Sequence, residues 1–331
     1  MKLASLRRGG RDGTLIVVDR DVKRAAVAPK LAGAAGAPTL QAALDRWDEA
    51  RPILQDTYER LNAGGIATAF PLRPSELAAP LPRAYQFLDA SAYLHHVELV
   101  RRSRGDELPA SLEQDPLMYQ GGSDCMLGPC DPIVGFSEEW GIDFESEVAI
   151  VTDDVPLGAT AEAAADHIQL WMLINDVSLR GLIPAELAKG FGFVHGKPSS
   201  ACSPVAVTSD ELGSALRGGK LHLPLVTTLN SRVVGRPDAG VDMAFDFPRL
   251  VSHAAKTRRL GAGTIIGSGT VSNRDRERGS SCLLERRTLE HLETGVATTP
   301  YLRRGDRVRI EMFDANGRSV FGAIDQRVES P

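Results

Sequence analysis

The beginning of the chain alternates short apolar runs with turn-forming residues. Apolar stretches at 2–6, 14–18 and 24–28 are separated by Gly-Arg-Asp-Gly and Asp-Arg-Asp, two segments that favour turns. Runs of this length and spacing are typical of short strands. The pattern therefore predicts a small β unit at the N-terminus.

Helical spacing replaces this alternation further along. Leu40, Leu44 and Trp47 share one helical face after Thr39, whose hydroxyl suits a helix N-terminus. Pro52 is predicted to begin a second helix, because proline is tolerated in the first turn. A segment with four prolines, 71–82, is predicted to link this part to the rest. We therefore divide the chain into a small N-terminal β/helical domain, 1–75, and a main domain, 76–331.

Strands dominate the predicted main domain. The apolar run 168–174 predicts a buried strand, and Thr160 is placed to cap a short helix before it. Near the end, two apolar segments flank the sequence Asp314-Ala-Asn-Gly317, which predicts a hairpin because Asn-Gly tolerates positive φ. The predicted fold class is mixed α+β and rich in strands.

Composition narrows the class of protein. Of the 331 residues, 43% are hydrophobic and 24% are charged, which is ordinary for a globular protein. The formal net charge of −5 argues against nucleic acid as a partner, because phosphate binding needs a concentrated positive surface.

The sequence predicts neither a signal peptide nor a membrane-spanning segment. The N-terminus lacks the apolar stretch of a signal peptide, and no segment approaches the roughly 20 apolar residues of a membrane span. The four cysteines include no C-x-x-C pair. We therefore expect a cytoplasmic protein with reduced cysteines and no membrane partner.

Four carboxylates in strand-like surroundings carry the candidate chemistry: Asp89, Glu145, Glu147 and Asp176. Glu145 and Glu147 alternate along an apolar segment, so in a strand both point to one face, roughly 7 Å apart. Two carboxylates in such surroundings repel each other unless a cation lies between them. The alternative is an edge strand with a solvated acidic face. Oxygen ligands favour a hard ion, Mg²⁺ or Ca²⁺, with Mn²⁺ also suitable.

Five motifs in one order give the chain a family resemblance. They are D-x6-H from Asp89 to His96, D-F-E-S-E-V-A, N-D-V-S-x-R from Asn175 to Arg180, G-K and S-P between Gly196 and Pro204, and G-T-I-I-G-S-G-T-V-S-N from Gly263 to Asn273. In this order they resemble the fumarylacetoacetate hydrolase (fumarylacetoacetase) family, in its bacterial short form. The resemblance runs from about residue 83 to the C-terminus.

The resemblance implies a fold and a metal site. The expected fold is a fumarylacetoacetate hydrolase-like β-roll enclosing the site in 76–331, preceded by the small N-terminal domain. The family is usually homodimeric, so a homodimer is expected. By analogy with the family, the metal ligands are the four carboxylates Asp89, Glu145, Glu147 and Asp176.

The resemblance also implies roles for six other residues: His96, Glu285, Arg180, Lys197, Tyr119 and Thr270. His96 is implied as the base that activates water and Glu285 as the carboxylate that orients it. Arg180 and Lys197 are implied to act in catalysis and to bind anionic oxygens of the substrate. Tyr119 and Thr270 are implied substrate contacts. Alternatives remain: Glu285 could pair with Arg286 or Arg287, and the glycine-rich stretch around Thr270 could be only a tight turn.

The implied activity is metal-dependent hydrolysis of a carbon–carbon bond in a β-diketo acid. Fumarylacetoacetate, cleaved to fumarate and acetoacetate in the catabolism of tyrosine and other aromatic amino acids, is the simplest substrate. An acylpyruvate hydrolase, or a 2-oxo acid decarboxylase, isomerase or hydratase with the same metal-enolate chemistry, is the alternative. Ser91 and Ile183 replace a tyrosine and a glutamine of the family's animal enzymes, so the identity of the substrate stays open.

Overall fold

The computed structural model describes residues 1–33, 36, 38–105, 107–108, 111–135 and 137–331. In this part the chain forms a mixed α+β fold rich in strands, as the sequence predicts. The strands are β1 (Lys2–Leu6), β2 (Thr14–Val18), β3 (Arg24–Val27), β4 (Phe70–Pro71), β5 (Gln86–Ala90), β6 (Met118–Gly121), β7 (Ile133–Val134), β8 (Ile142–Asp143), β9 (Ser146–Thr152), β10 (Ile168–Asn175), β11 (Ser178–Leu179), β12 (Ala201–Cys202), β13 (Ala206–Val207), β14 (Leu216–Arg217), β15 (Lys220–Leu221), β16 (Leu225–Leu229), β17 (Arg232–Gly235), β18 (Thr264–Gly267), β19 (Arg307–Met312) and β20 (Ile324–Glu329). The helices are α1 (Leu40–Leu44), α2 (Trp47–Asn62), α3 (Leu94–Arg104), α4 (Ala161–Asp166), α5 (Ile183–Leu187), α6 (Ser209–Leu212), α7 (Phe247–Ala254) and α8 (Leu283–Thr294).

One large sheet runs through the structure. Its strand order is β4-β3-β2-β1-β13-β10-β9-β18-β5-β6, with β12 also paired to β10. The N-terminal strands join it where Lys2 pairs with Val207 of β13. A second sheet has the order β17-β16-β19-β20-β7. Neighbouring strands in the large sheet are antiparallel except for β18 and β5, which run parallel.

The core lies on both faces of the large sheet. Successive residues of one strand belong to different hydrophobic clusters, as Leu3 and Ala4 do in β1. Helices α1 and α2 cover one face with buried residues such as Leu54. The second sheet contributes buried residues, Ile310 among them, to the cluster on the other face.

The N-terminal helices differ in one respect from the prediction. Thr39 caps α1 as expected, its hydroxyl accepting from the N–H of Ala42 at 3.1 Å. Helix α2, however, begins at Trp47 and contains Pro52 in its interior. Proline removes one backbone hydrogen bond there. Burial of Trp47 and Leu54 on the same helix, at 6% and 2% exposure, favours the longer helix.

The proline-rich segment and the last hairpin also take definite positions. Leu77, in the middle of the predicted linker, is fully buried in the core. Strands β19 and β20 pair antiparallel as predicted, but β20 begins only at Ile324, after a bridge between Phe313 and Ser319. The turn at Asp314 is closed by its own carboxylate, which accepts from the N–H of Asn316 at 2.8 Å. None of the described helices is long and apolar enough to cross a membrane.

Candidate active site

Three carboxylates meet where three strands of the large sheet come together. Asp89 lies in β5, Glu147 lies in β9, and Asp176 follows the last residue of β10. One carboxylate oxygen from each lies within 4.8 Å of the other two, and all three side chains are buried. Segments far apart in the chain therefore bring their acids to one point.

Gly267 creates the space between them. It lies in β18, where it pairs with Asp89 of β5 on one side and with Ala149 of β9 on the other. A Cβ at this position would lie against Oδ1 of Asp89 and 3.0 Å from Oε2 of Glu147. Any other residue type would thus fill the volume that the carboxylates share.

A bound cation would stabilise the ionised form of these buried carboxylates. Both carboxylate oxygens of Glu147 are buried without a hydrogen-bond donor among the described residues. Burial, followed by the charge of Asp176, raises the pKa of Asp89 to about 8. Burial and the neighbouring carboxylates also raise the pKa of Glu147 far above its usual range. A divalent cation would offset all of these effects, so the donor set fits a hard metal ion.

Asp176 is the carboxylate of the cluster that is hydrogen-bonded most completely. Its Oδ2 accepts from the hydroxyl of Tyr119 and from Nζ of Lys197, each at 2.6 Å. Its Oδ1 accepts from the hydroxyl of Ser200, also at 2.6 Å. Three donors thus fix its orientation before any ligand arrives.

Glu145 stands apart from the three and is held by two cations. It directly precedes β9, and neither of its carboxylate oxygens belongs to the 4.8 Å group. Nη2 of Arg180 lies 2.7 Å from its Oε1, and Nζ of Lys197 lies 2.5 Å from its Oε2. Burial raises the pKa of Glu145, but Lys197 and Arg180 outweigh burial, so the pKa falls below its usual range. Glu145 is therefore ionised.

Lys197 connects Glu145 with the cluster. Its ammonium group contacts both Glu145 and Asp176, and it lies 5.4 Å from the centre of the Tyr119 ring. Burial lowers the pKa of Lys197, but Asp176 and Glu145 more than reverse this, so the amine stays protonated. An ammonium group has three N–H donors, and two are engaged here, which leaves one for a ligand.

Asp143 accepts hydrogen bonds both from Arg180 and from the first turn of helix α8. Its Oδ2 lies 2.9 Å from Nε of Arg180. Its two oxygens also accept from the N–H groups of Leu283 and Leu284, at 2.8 and 3.0 Å, in the first turn of α8. In the sequence, the one signal for Asp143 is its alternation with Glu145 and Glu147, and this alternation does not predict its role. Ser200 and Gly267 carried no such local pattern.

Two helices supply a histidine–carboxylate pair beside the cluster. Nδ1 of His96 in α3 lies 2.7 Å from Oε1 of Glu285 in the first turn of α8. Glu285 therefore pairs with His96 and not with Arg286, which pairs with Glu290 instead. The neighbouring His95 points elsewhere, with its Nδ1 3.0 Å from the hydroxyl of Ser272.

A cavity of about 380 Å³ is lined both by Asp89 of the acidic cluster and by His96. Its wall contains seven of the ten predicted site residues: Asp89, His96, Tyr119, Glu145, Arg180, Lys197 and Thr270. The hydroxyl of Thr270 is buried without a hydrogen-bond partner among the described residues, so it is available to a ligand. Phe193, which the sequence analysis did not single out, lines the cavity and meets Tyr119 edge to face at 5.2 Å between ring centres.

The structure distinguishes between the two interpretations of Glu145 and Glu147, a buried site and a solvated edge strand. Glu145 and Glu147 are 4% and 0% exposed, and β9 lies between β10 and β18 inside the sheet. An edge strand with a solvated acidic face is therefore excluded. All ten predicted residues lie in or next to one site, although their individual roles remain predictions.

Comparison with known proteins agrees with this arrangement. Residues 86–329 match the family model described as fumarylacetoacetate (FAA) hydrolase C-terminal. Residues 1–83 match the model described as fumarylacetoacetase N-terminal domain 2.

Among curated relatives, an uncharacterized protein from Archaeoglobus fulgidus is 25% identical over 178 residues, which span 54% of this chain and 64% of the relative. The oxaloacetate tautomerase YisK from Bacillus subtilis is 25% identical over 204 residues, which span 61% of this chain and 59% of the relative. The chain thus covers less than two thirds of the length of either protein.

Solved structures share the fold over the whole chain. Maleylpyruvate hydrolase from Sphingobium sp. SYK-6 has a TM-score of 0.66 at 18% identity, covering 100% of both chains. A structure of that enzyme contains manganese(II) ion and pyruvate. The 5-carboxymethyl-2-hydroxymuconate delta-isomerase from Mycobacterium smegmatis has a TM-score of 0.61 at 18% identity, again covering 100% of both chains.

Proposed function

The chain belongs to the fumarylacetoacetate hydrolase family, and we propose that it is a metal-dependent hydrolase that cleaves a carbon–carbon bond of a β-diketo acid. The substrate we propose first is fumarylacetoacetate, which would give fumarate and acetoacetate. An acylpyruvate offers the same arrangement of carbonyl groups and is the closest alternative. Both carry the 1,3-dicarbonyl and the carboxylate that this chemistry needs.

One observation carries the proposal: a histidine backed by a carboxylate lines the same cavity as Asp89, one of the three converging acids. His96 and Asp89 both line that cavity, and Glu285 holds His96 from behind at 2.7 Å. A base oriented by a buried carboxylate next to a cation site is an arrangement that activates water.

Asp89, Glu147 and Asp176 would hold the cation, with Glu145 beside them. The all-oxygen donor set suits Mg²⁺, Ca²⁺ or Mn²⁺. The manganese in the Sphingobium enzyme makes Mn²⁺ a reasonable first choice for experiments. When bound, such an ion stabilises negative charge that develops on substrate oxygens.

His96 would carry the proton in the hydrolytic step. The carboxylate of Glu285 accepts from the Nδ1–H, so Nε2 is the nitrogen that takes a proton from water. The oxygen of that water adds to a substrate carbonyl carbon, and the adjacent carbon–carbon bond breaks with its electron pair on the departing carbon. The imidazolium then returns the proton to that carbon. One product gains the hydroxyl of water and the other gains its hydrogen.

Lys197 and Thr270 would bind and orient the substrate. The third N–H of Lys197 and the unpartnered hydroxyl of Thr270 both belong to the cavity wall. Arg180 already forms ion pairs with Asp143 and Glu145, so its larger effect is on the position of Glu145. A substrate carboxylate placed at Lys197 would meet a buried, charged donor.

A tautomerase is the second candidate, favoured by the relative named an oxaloacetate tautomerase. The same Nε2 of His96 could remove a proton from the carbon between two carbonyls and return it elsewhere, without attack by water. The two candidates differ in whether the carbon skeleton is cut.

An activity panel distinguishes them. Protein loaded with Mn²⁺ would be given fumarylacetoacetate, acylpyruvates and oxaloacetate, with products identified by NMR. Two fragments from a β-diketo acid support the hydrolase. An intact skeleton from every substrate, with conversion between keto and enol forms of oxaloacetate, supports the tautomerase.

A further inference from the structure

A second cavity lies beside the proposed active site, between helices α3 and α8. Its volume is about 360 Å³, and it shares the wall residues Val100, Arg180 and Ile183 with the first cavity. Helix α8 contributes Leu284, Arg287, Thr288 and His291, which recur at the spacing of a single helical face. The same helix presents Glu285 to His96 in its first turn.

The charge of this cavity has one sign. Arg102, Arg180, Arg287 and His291 line it, and no Asp or Glu is among its described lining residues. Arg180 is neutralised by Asp143 and Glu145. Arg102 and Arg287 are therefore the cations that the cavity offers to a ligand, together with His291 when it is protonated.

Arg287 is held in place without an acidic partner. Its guanidinium lies 4.4 Å from the centre of the Tyr301 ring, and its Nη1 donates to the carbonyl of Thr299. Among the described residues no carboxylate forms an ion pair with it, whereas the adjacent Arg286 pairs with Glu290 at 3.4 Å. A guanidinium has five N–H donors, so most of those of Arg287 remain for a ligand. A fixed, half-buried guanidinium with free donors suits a carboxylate.

We propose that this second cavity binds a carboxylate group through Arg287, with His291 and Arg102 completing the site. The carboxylate has two possible sources. It can be the far end of a dicarboxylic substrate that extends past Arg180 from the first cavity, a case that rests on the proposed function. It can also be a separate small carboxylate.

The test is calorimetric titration of succinate into the Mn²⁺-loaded protein, alone and with saturating pyruvate. Binding needs no turnover, so the result is independent of the activity panel. The variants are Arg287→Gln and His291→Gln, and the matched control is Arg286→Gln, which removes the same charge from the next residue of the helix. We expect Arg287→Gln to weaken succinate binding by about 10- to 100-fold and Arg286→Gln to leave it unchanged.

The two sources give different results. If succinate binds in the presence of pyruvate, and Arg287→Gln weakens this binding, the cavity takes a separate carboxylate. If succinate and pyruvate exclude each other while Arg287→Gln weakens only succinate, the cavity takes the far end of a ligand in the first cavity.

Other results overturn the proposal. They are no succinate binding to the unmodified protein, or equal succinate affinity in Arg287→Gln and Arg286→Gln. Thermal unfolding checks that Arg287→Gln is folded, since Arg287 also packs on Tyr301. If it is not, the exposed His291 decides, and equal succinate affinity in His291→Gln and in the unmodified protein refutes the site.

Discussion

Nδ1 of His96 lies 2.7 Å from Oε1 of Glu285, and this contact joins helix α3 to helix α8. The two side chains are only 13% and 3% exposed, so water competes little for the hydrogen bond. Because the carboxylate accepts from one ring nitrogen, the other is left as the proton acceptor. The contact thus determines which nitrogen can act as a base.

Removing either partner of this pair should suppress turnover. We expect His96→Ala to lower kcat by about 10²- to 10⁴-fold, the usual contribution of a general base, while Mn²⁺ still binds. Glu285→Gln should lower kcat as well, because glutamine can favour the wrong tautomer of the imidazole. His95→Ala is the control, since His95 contacts Ser272 instead. Steady-state kinetics showing His95 to be the more sensitive position would reverse the assignment of the base.

Gly267→Ala should weaken metal binding. The added methyl group would occupy the space against Asp89 and Glu147. Gly261→Ala is the matched control, because a Cβ there has nothing within 4 Å. Mn²⁺ titration should show an affinity loss of about 10- to 100-fold for the first variant, the size typical when the groups that position metal ligands are disturbed. Equal Mn²⁺ affinity in both variants would mean that the ion binds elsewhere.

Replacing Glu147 and replacing Glu145 should have different effects on the stability of the metal-free protein. The raised pKa of Glu147 keeps its buried carboxyl group protonated when no metal is bound, so Glu147→Gln exchanges one neutral group for another and should leave the unfolding temperature about the same while Mn²⁺ affinity is lost. Glu145→Gln leaves Arg180 and Lys197 buried with less compensation, which should cost about 3–5 kcal/mol of unfolding free energy. Denaturant titrations of both metal-free variants make the comparison. A stabilised Glu145→Gln protein would contradict this account of the cluster.

The metal-free protein should lose stability as the pH rises. The pKa of Asp89 is about 8 in the folded protein against 3.8 as its ordinary value, so the folded state holds more protons between these limits. Unfolding free energy therefore falls with increasing pH across that window. Excess Mn²⁺ should restore more stability at the upper end, because the ion replaces the protons that the carboxylates release. Thermal unfolding across the window, with and without Mn²⁺, measures this. Asp89→Asn should flatten the slope, and an unchanged slope would show that other groups cause it.

Lys197 should determine the preference for acidic substrates. Its free N–H is buried in the cavity wall, so a neutral diketone leaves it without a partner. We expect the unmodified protein to prefer fumarylacetoacetate over acetylacetone in kcat/KM, and Lys197→Met to erase most of that preference. Equal kcat/KM for both substrates in the unmodified protein would refute this view of the pocket.

Local sequence patterns predict where the strands and helices of this protein lie, but not which of them contact one another. The spacing of the apolar runs located β1, β2 and β3 to within a residue, and the pattern after Thr39 located α1. The prediction that α2 begins at Pro52 was wrong. The preference of proline for the first turn of a helix was outweighed by the burial of a whole face of the longer helix. The N-terminal strands, taken as a separate unit, pair directly with β13 of the large sheet.

In the site, too, local patterns predict single segments but not the contacts between them. Alternation placed Glu145 and Glu147 on one face, but Glu145 precedes the strand and is drawn to Arg180 and Lys197, which come from other segments. The contact between His96 and Glu285 spans 189 positions, a separation that no local periodicity reaches. Only the order of motifs along the chain indicated that these residues act together. Gly267 lies in the last of these motifs, but its role depends on neighbours in β5 and β9 that the sequence alone does not reveal.

Hydrolysis of fumarylacetoacetate in ¹⁸O-labelled water tests the central proposal most directly. The Mn²⁺-loaded protein should release fumarate and acetoacetate, with one ¹⁸O atom in a carboxylate of one product and none added without the protein, as mass spectrometry would show. His96→Ala should release both products at least about 10²-fold more slowly. Recovery of an intact carbon skeleton, exchanged or tautomerised but not cleaved, would contradict the proposal that this cavity activates water to break a carbon–carbon bond.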